Sequence, residues 1–144
     1  MRKKFFVILS ILFWLTGTVC GQESISLNGK WEMGEGRLYT HTVDVPGIHC
    51  DPTQMNRDTL WYRRQVTLPK GKWHFATLEL KGARFAPAVF VDGQQVSRAD
   101  GGMAPTFHLL NNQTVKPGKA ITLEVALTSL KDLPKTDASY IAVS

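Results

Sequence analysis

The sequence predicts an all-β fold, an antiparallel β-sandwich, and three observations carry that prediction. From Gln22 onward apolar residues alternate along short runs, the period of a strand rather than of a helix. Those runs are separated by turn pairs such as Pro46-Gly47, Lys81-Gly82 and Pro117-Gly118. Asp92-Gly93 sits between two β-type runs, the pattern of a two-residue hairpin turn.

The first 21 residues are set apart from the fold. Arg2, Lys3 and Lys4 precede the apolar run Phe5 to Leu15, and small residues follow at Thr16, Gly17, Thr18 and Gly21. This is the layout of a secretory signal peptide, and the run is too short for a membrane-spanning helix. Cleavage after Gly21 leaves Gln22 at the mature terminus. A lipid anchor on Cys20 stays open, although Gly17-Thr18-Val19 lacks the usual lipobox residues. Either route predicts export, to a secreted, periplasmic or outer-membrane lipoprotein location. Residues 22–144 then form one β-sandwich domain.

Within that domain the strands read in order. Ile25-Ser26-Leu27 leads into Gly29 to Met33, with Leu27, Trp31 and Met33 on one face. His41 to Val45 alternates up to Pro46-Gly47, and Leu60 to Leu68 closes at Pro69-Lys70-Gly71. Trp73 to Leu80 follows. Ala88 to Val91 and Gln94 to Ser97 flank Asp92-Gly93, whose two positions need positive φ in a type I′ turn. Thr106 to Leu110 and Ala120 to Leu127 complete the set, and Lys131 to Lys135 with Pro134 reads as an exit loop.

Charge and cysteine content exclude several function classes. The formal charge of +5 falls to +2 once Arg2, Lys3 and Lys4 are removed, and no basic stripe interleaves with aromatics. Nucleic acid is therefore not an expected partner. Without Cys20, Cys50 has no disulfide partner, so stability rests on the apolar core.

Candidate chemical groups are weighed next. His41, His49, Cys50 and Asp51 lack the paired spacing of a zinc site, so neither metal nor cofactor is expected. The carboxylates are Glu23, Glu32, Glu35, Asp44, Asp51, Asp58, Glu79, Asp92, Asp100, Glu124, Asp132 and Asp137. Asp92 belongs to its turn, Glu79 and Glu124 to outward strand positions, and nothing selects a catalytic pair. Ser97 and Ser129 lack a nucleophile elbow. No catalytic residue is expected. Trp31, Trp61, Tyr62, Trp73, Phe75, Phe90 and Phe107 could stack on a sugar, but most hold alternating positions that suit the core. Trp61 and Tyr62 face opposite sides, as do Arg63 and Arg64, and a buried arginine would need a carboxylate or backbone partner. Asn112-Gln113-Thr114 matches a glycosylation sequon.

The order of motifs resembles one known family. Leu27-Asn28-Gly29-Lys30-Trp31-Glu32, Val45-Pro46-Gly47 and Trp61-Tyr62-Arg63-Arg64 come first. Leu68-Pro69-Lys70-Gly71, Val89-Phe90-Val91-Asp92-Gly93, Gly101 to Phe107 and Val115-Lys116-Pro117-Gly118 follow. Together they resemble the sugar-binding domain of glycoside hydrolase family 2, over Leu27 to Leu130. The resemblance implies a galactose-binding-like jelly roll that precedes an immunoglobulin-like sandwich and a (β/α)₈ barrel in retaining exo-glycosidases. The catalytic glutamates belong to the barrel, so none is carried onto this chain. Two departures stand out. Lys81-Gly82-Ala83-Arg84-Phe85 replaces a Glu-Gly-Val-Asp-like run, and the closing Ser-Gly-Ile-Tyr/Trp-Arg segment is missing before Ser144. The expectation is an accessory, C-terminally incomplete domain, partnered by carbohydrate or by the catalytic domains of a glycosidase. A free-standing carbohydrate-binding module is the alternative.

Overall fold

A computed structural model describes residues 23–49, 59–101, 103–111 and 113–128. The signal-peptide segment, Cys20, Cys50, Asp51, Asp58, Asn112, Ser129, Asp132, Asp137 and the exit loop lie outside the described residues.

Eight strands and no helix form among the described residues. They are β1 (Gly29–Glu35), β2 (Leu38–Val45), β3 (Leu60–Thr67), β4 (Phe75–Leu80), β5 (Ala88–Val91), β6 (Gln94–Arg98), β7 (Thr106–Asn111) and β8 (Ala120–Leu127). All pairings are antiparallel. A six-stranded sheet runs in the order β2-β1-β3-β8-β5-β6, and β4 pairs with β7 in a second, two-stranded sheet. The expected antiparallel all-β sandwich is the fold observed, and each expected run falls on one of its strands.

Alternation builds the core between the sheets. Ile121, Leu123 and Val125 project inward from β8, Val89 and Val91 from β5, and Trp31 from β1. Leu78 of β4 and Leu110 of β7 meet them from the second sheet. Full burial of an aliphatic side chain of this size contributes about 1.5–3 kcal/mol. Trp31 spends its one polar group on the Leu27 carbonyl, 2.8 Å away, which pins the segment entering β1. Trp73 does the same to Pro69 at 3.0 Å.

Asp92 (φ 49°) and Gly93 (φ 83°) form the β5–β6 turn as the sequence requires. Asp92 also accepts from the Thr122 backbone N–H at 2.8 Å and from Lys119 Nζ at 2.8 Å, tying the turn to β8. The first hairpin differs from the expected one. Gly36 (φ 57°) and Arg37 (φ 66°) make its turn, so β2 begins at Leu38 rather than at His41. A β-bulge lies beside it. Met33 pairs with His41 but Gly34 pairs with Tyr39, leaving Thr40 as an extra residue. At Gly34 a Cβ would lie 1.5 Å from the Leu38 carbonyl oxygen, so this approach of the two strands admits only glycine. A bulge re-aims the side chains beyond it. Here it turns Tyr39 onto the outer face of the large sheet, where Thr40 would otherwise lie.

Candidate functional site

Away from the core, the large sheet carries one laterally aligned row across four strands. Glu32 of β1 pairs with Arg63 of β3, Arg63 with Glu124 of β8, and Glu124 with Phe90 of β5. The row alternates charge, so neighbouring side chains attract across the strands. Arg63 grips Glu32 through Nε at 2.7 Å and Nη2 at 3.0 Å, a bidentate pair that holds the Glu32 carboxyl below its usual range. The same guanidinium lies 4.0 Å above the Tyr39 ring.

The hairpin tip closes over this row. Tyr39 donates its hydroxyl proton to Glu124 Oε1 in a short hydrogen bond. Burial, then that bond, push the Tyr39 phenol well above its ordinary value. Arg37 places Nη2 3.6 Å from Glu124 Oε2 and lies over two rings, 4.2 Å from Trp61 and 4.8 Å from Phe90. Those rings contact each other at 4.9 Å with a 43° tilt. Glu124 thus sits outward, as its alternation requires, yet its side chain is only 8% exposed. An outward strand position is ordinarily solvated. This one is instead roofed by Arg37 and Tyr39, from a hairpin more than eighty residues away in sequence.

The carboxylates of this row are already engaged by partners. A carboxyl that serves as a general acid near neutral pH needs a raised pKa. Glu32 is shifted the other way, and both Glu124 oxygens already face partners. Glu32, Arg63 and Arg37 all reach solvent, at 50%, 36% and 42% side-chain exposure, and the Arg37 guanidinium is backed by Trp61 and Phe90.

Other candidates fall elsewhere. Trp31 is buried in the core, with Tyr62 and Trp73 packed against it, so Trp61 is the outward member of its pair. Phe75 and Phe107 depart from a core reading. They project from the outer face of the small sheet, 64% and 66% exposed, beside exposed Leu109. The chain bends at His74 before β4 begins, so Ala76, Leu78 and Leu80 take the inward side while Phe75 points out. Arg64 finds the backbone partners its position demanded, Leu27 O at 2.7 Å and Asn28 O at 3.0 Å.

His41 Nδ1 contacts Thr40 Oγ1 at 2.8 Å, and the His49 ring lies 6.1 Å from Tyr62. Asp44 pairs with Lys30 and Glu79 with Lys81 on the surface, while Glu23, Glu35 and Asp100 are exposed. One pair escaped sequence reasoning. Ser97 Oγ lies 3.0 Å from His108 Nδ1, deep between the sheets. Adjacent strands of different sheets bring them together, which no spacing along the chain encodes.

Three solved structures share this architecture. A β-D-glucuronidase of Dictyoglomus thermophilum matches with a TM-score of 0.59 and 20% identity, over 72% of this chain and 19% of its own. A Faecalibacterium prausnitzii β-glucuronidase matches with a TM-score of 0.59 and 23% identity, over 72% and 20%. The fold is that of a segment of β-glucuronidases. A Ruminococcus gnavus β-glucuronidase gives the same TM-score, 0.59, at 17% identity over 73% and 21%. This chain therefore spans about a fifth of the length of these enzymes. No protein-family model and no curated relative matches the sequence.

Proposed function

We propose that this chain is an accessory, non-catalytic domain of an exported family 2 glycoside hydrolase, acting in carbohydrate breakdown. The observation that carries the reading is the fold, shared with a segment of several β-glucuronidases in agreement with the motif order from Leu27 onward. The outer-face row supports a non-catalytic role, because its carboxylates are neutralised by arginines and engaged by partners. One exposed part of it, Arg37 over Trp61 and Phe90, suits contact with a sugar or with a neighbouring catalytic domain.

The test is a glycan array together with chromogenic β-glucuronides, β-galactosides and β-mannosides, run on the purified chain after its cooperative unfolding is established. No turnover is the expected result. Hydrolysis abolished by replacing one carboxylate would overturn the proposal. A free-standing carbohydrate-binding module is the second reading, and exposed Phe75 and Phe107 favour it. Tight glycan binding lost in Phe75→Ser or Phe107→Ser would select that reading over the first.

A further inference from the structure

His108 is fully buried, at 0% exposure, on the inner face of β7 opposite Leu78 of β4. Its Nδ1 lies 3.0 Å from Ser97 Oγ, and its Nε2 lies 3.0 Å from Thr106 Oγ1. Ser97 belongs to β6, the edge of the large sheet, whereas His108 belongs to the small one. The imidazole therefore bridges the two layers where β6 and β7 pack together.

A second bulge makes this possible. Val89 pairs with Ser97 but Phe90 pairs with Gln95, so Val96 is the extra residue on β6. Val96 and Ser97 are both drawn toward the interior, one packing on the core and the other reaching His108.

A neutral imidazole offers one donor and one acceptor, which two hydroxyls satisfy in either tautomer. A protonated one brings a full charge into an apolar space. Its strand partner Leu78 belongs to the apolar core between the sheets, with Val89 of β5, Leu110 of β7 and Leu123 of β8, and Val96 of β6 packs against that core. None of these titrates. The charged residues of the same strands point away: Glu79 to Lys81, Arg98 to Thr128 and Glu124 to Tyr39. Burial is the one influence that shifts the ring, with no charged group among the described residues acting on it.

We propose that His108 is a pH-operated clasp across the β6–β7 seam, closed while the imidazole is neutral and released when it takes a proton. Burial pushes its pKa below the ordinary 6.5, which gives the clasp its direction. As pH falls below 6.5 the opened chain binds the proton first. The opening equilibrium then rises by up to about tenfold per pH unit until the folded-state pKa is reached. Above 6.5 the clasp is insensitive to pH.

The experiment is an NMR titration of the His108 ring nitrogens on the full chain, with native-state amide exchange at pH 7.5 and 5.5. After correction for intrinsic rates, β6 and β7 amides are expected to lose protection at pH 5.5, by up to about tenfold, while β3 and β8 keep theirs. His108→Gln, which cannot titrate, is expected to flatten that difference. A His108 titration at or above 6.5, or an unchanged pH dependence in His108→Gln, would overturn the clasp. Should that variant fail to fold, uniform loss of protection across all strands of the unaltered chain refutes it equally.

Discussion

Replacing Glu124 by Gln tests the roof over the outer face. The substitution preserves shape and leaves an amide oxygen for the Tyr39 hydroxyl, so a charge-assisted bond becomes a neutral one. Bonds to charged groups contribute about 1.5–3 kcal/mol and neutral ones about 0.5–1.5, a loss near 1 kcal/mol. Arg37 loses its ion partner, but at 42% exposure water replaces that contact, and half-exposed pairs are worth about 0–1 kcal/mol. Relief of a desolvated carboxylate offsets part of the loss. The expected net cost is about 1 kcal/mol, most of it carried by Tyr39 rather than by Arg37. Urea denaturation of Glu124→Gln, Tyr39→Phe and the double variant measures it, as a lowered midpoint at constant slope. The coupling between the two sites should reach about 1 kcal/mol. A cost for Glu124→Gln under about 0.5 kcal/mol with coupling near zero would refute the bond from Tyr39 to a buried carboxylate.

Three further substitutions probe separate features. Leu123→Ala, at the centre of the core, should cost about 2–5 kcal/mol in the same denaturation assay. Gly34→Ala should prevent the β1–β2 hairpin from closing, read as lost amide protection in β2, since its Cβ would collide with the Leu38 backbone. For Asp92→Asn, Lys119 and then the Thr122 N–H hold the Asp92 carboxyl below 3.8, so its contribution is present above that pH and disappears as pH falls through the folded-state value. Thermal melts should show a loss of about 0.5–1 kcal/mol at pH 7 and a smaller one at pH 2.

Much of the architecture was legible because it rests on local rules. Alternation marked the strands, Asp92-Gly93 marked its hairpin, and the Arg63-Arg64 pair divided between a carboxylate and a backbone partner as its opposed faces require. The candidate site was far less legible. Two single-residue bulges, at Thr40 and Val96, decide that Tyr39 covers Glu124 and that Ser97 meets His108. Nothing in the identity of Thr40 or Val96 announces a bulge. The Gly36-Arg37 turn was equally hidden, because arginine rarely adopts positive φ. Alternation placed Glu124 outward, but it reports which face a side chain takes, not what folds over it later. Phe75 and Phe107 read as core for the complementary reason. A two-stranded sheet has an outer face of its own, and hydrophobicity alone does not say which side of β4 or β7 is covered.

The position of β8 in the large sheet bears on how the chain reaches its fold. The last described strand is not at an edge but between β3 and β5, joining β2-β1-β3 on one side to β5-β6 on the other. Until residue 127 is available these are two separate pieces, each with an open strand edge. At about 5–20 residues per second, the stretch from the end of β3 to the end of β8 takes a ribosome about 3–12 s. Throughout that interval the nascent chain exposes half-built sheets competent to pair with other chains. Any step that keeps it extended during this window, translocation or a holding chaperone, guards the interval before one strand closes the sheet from within.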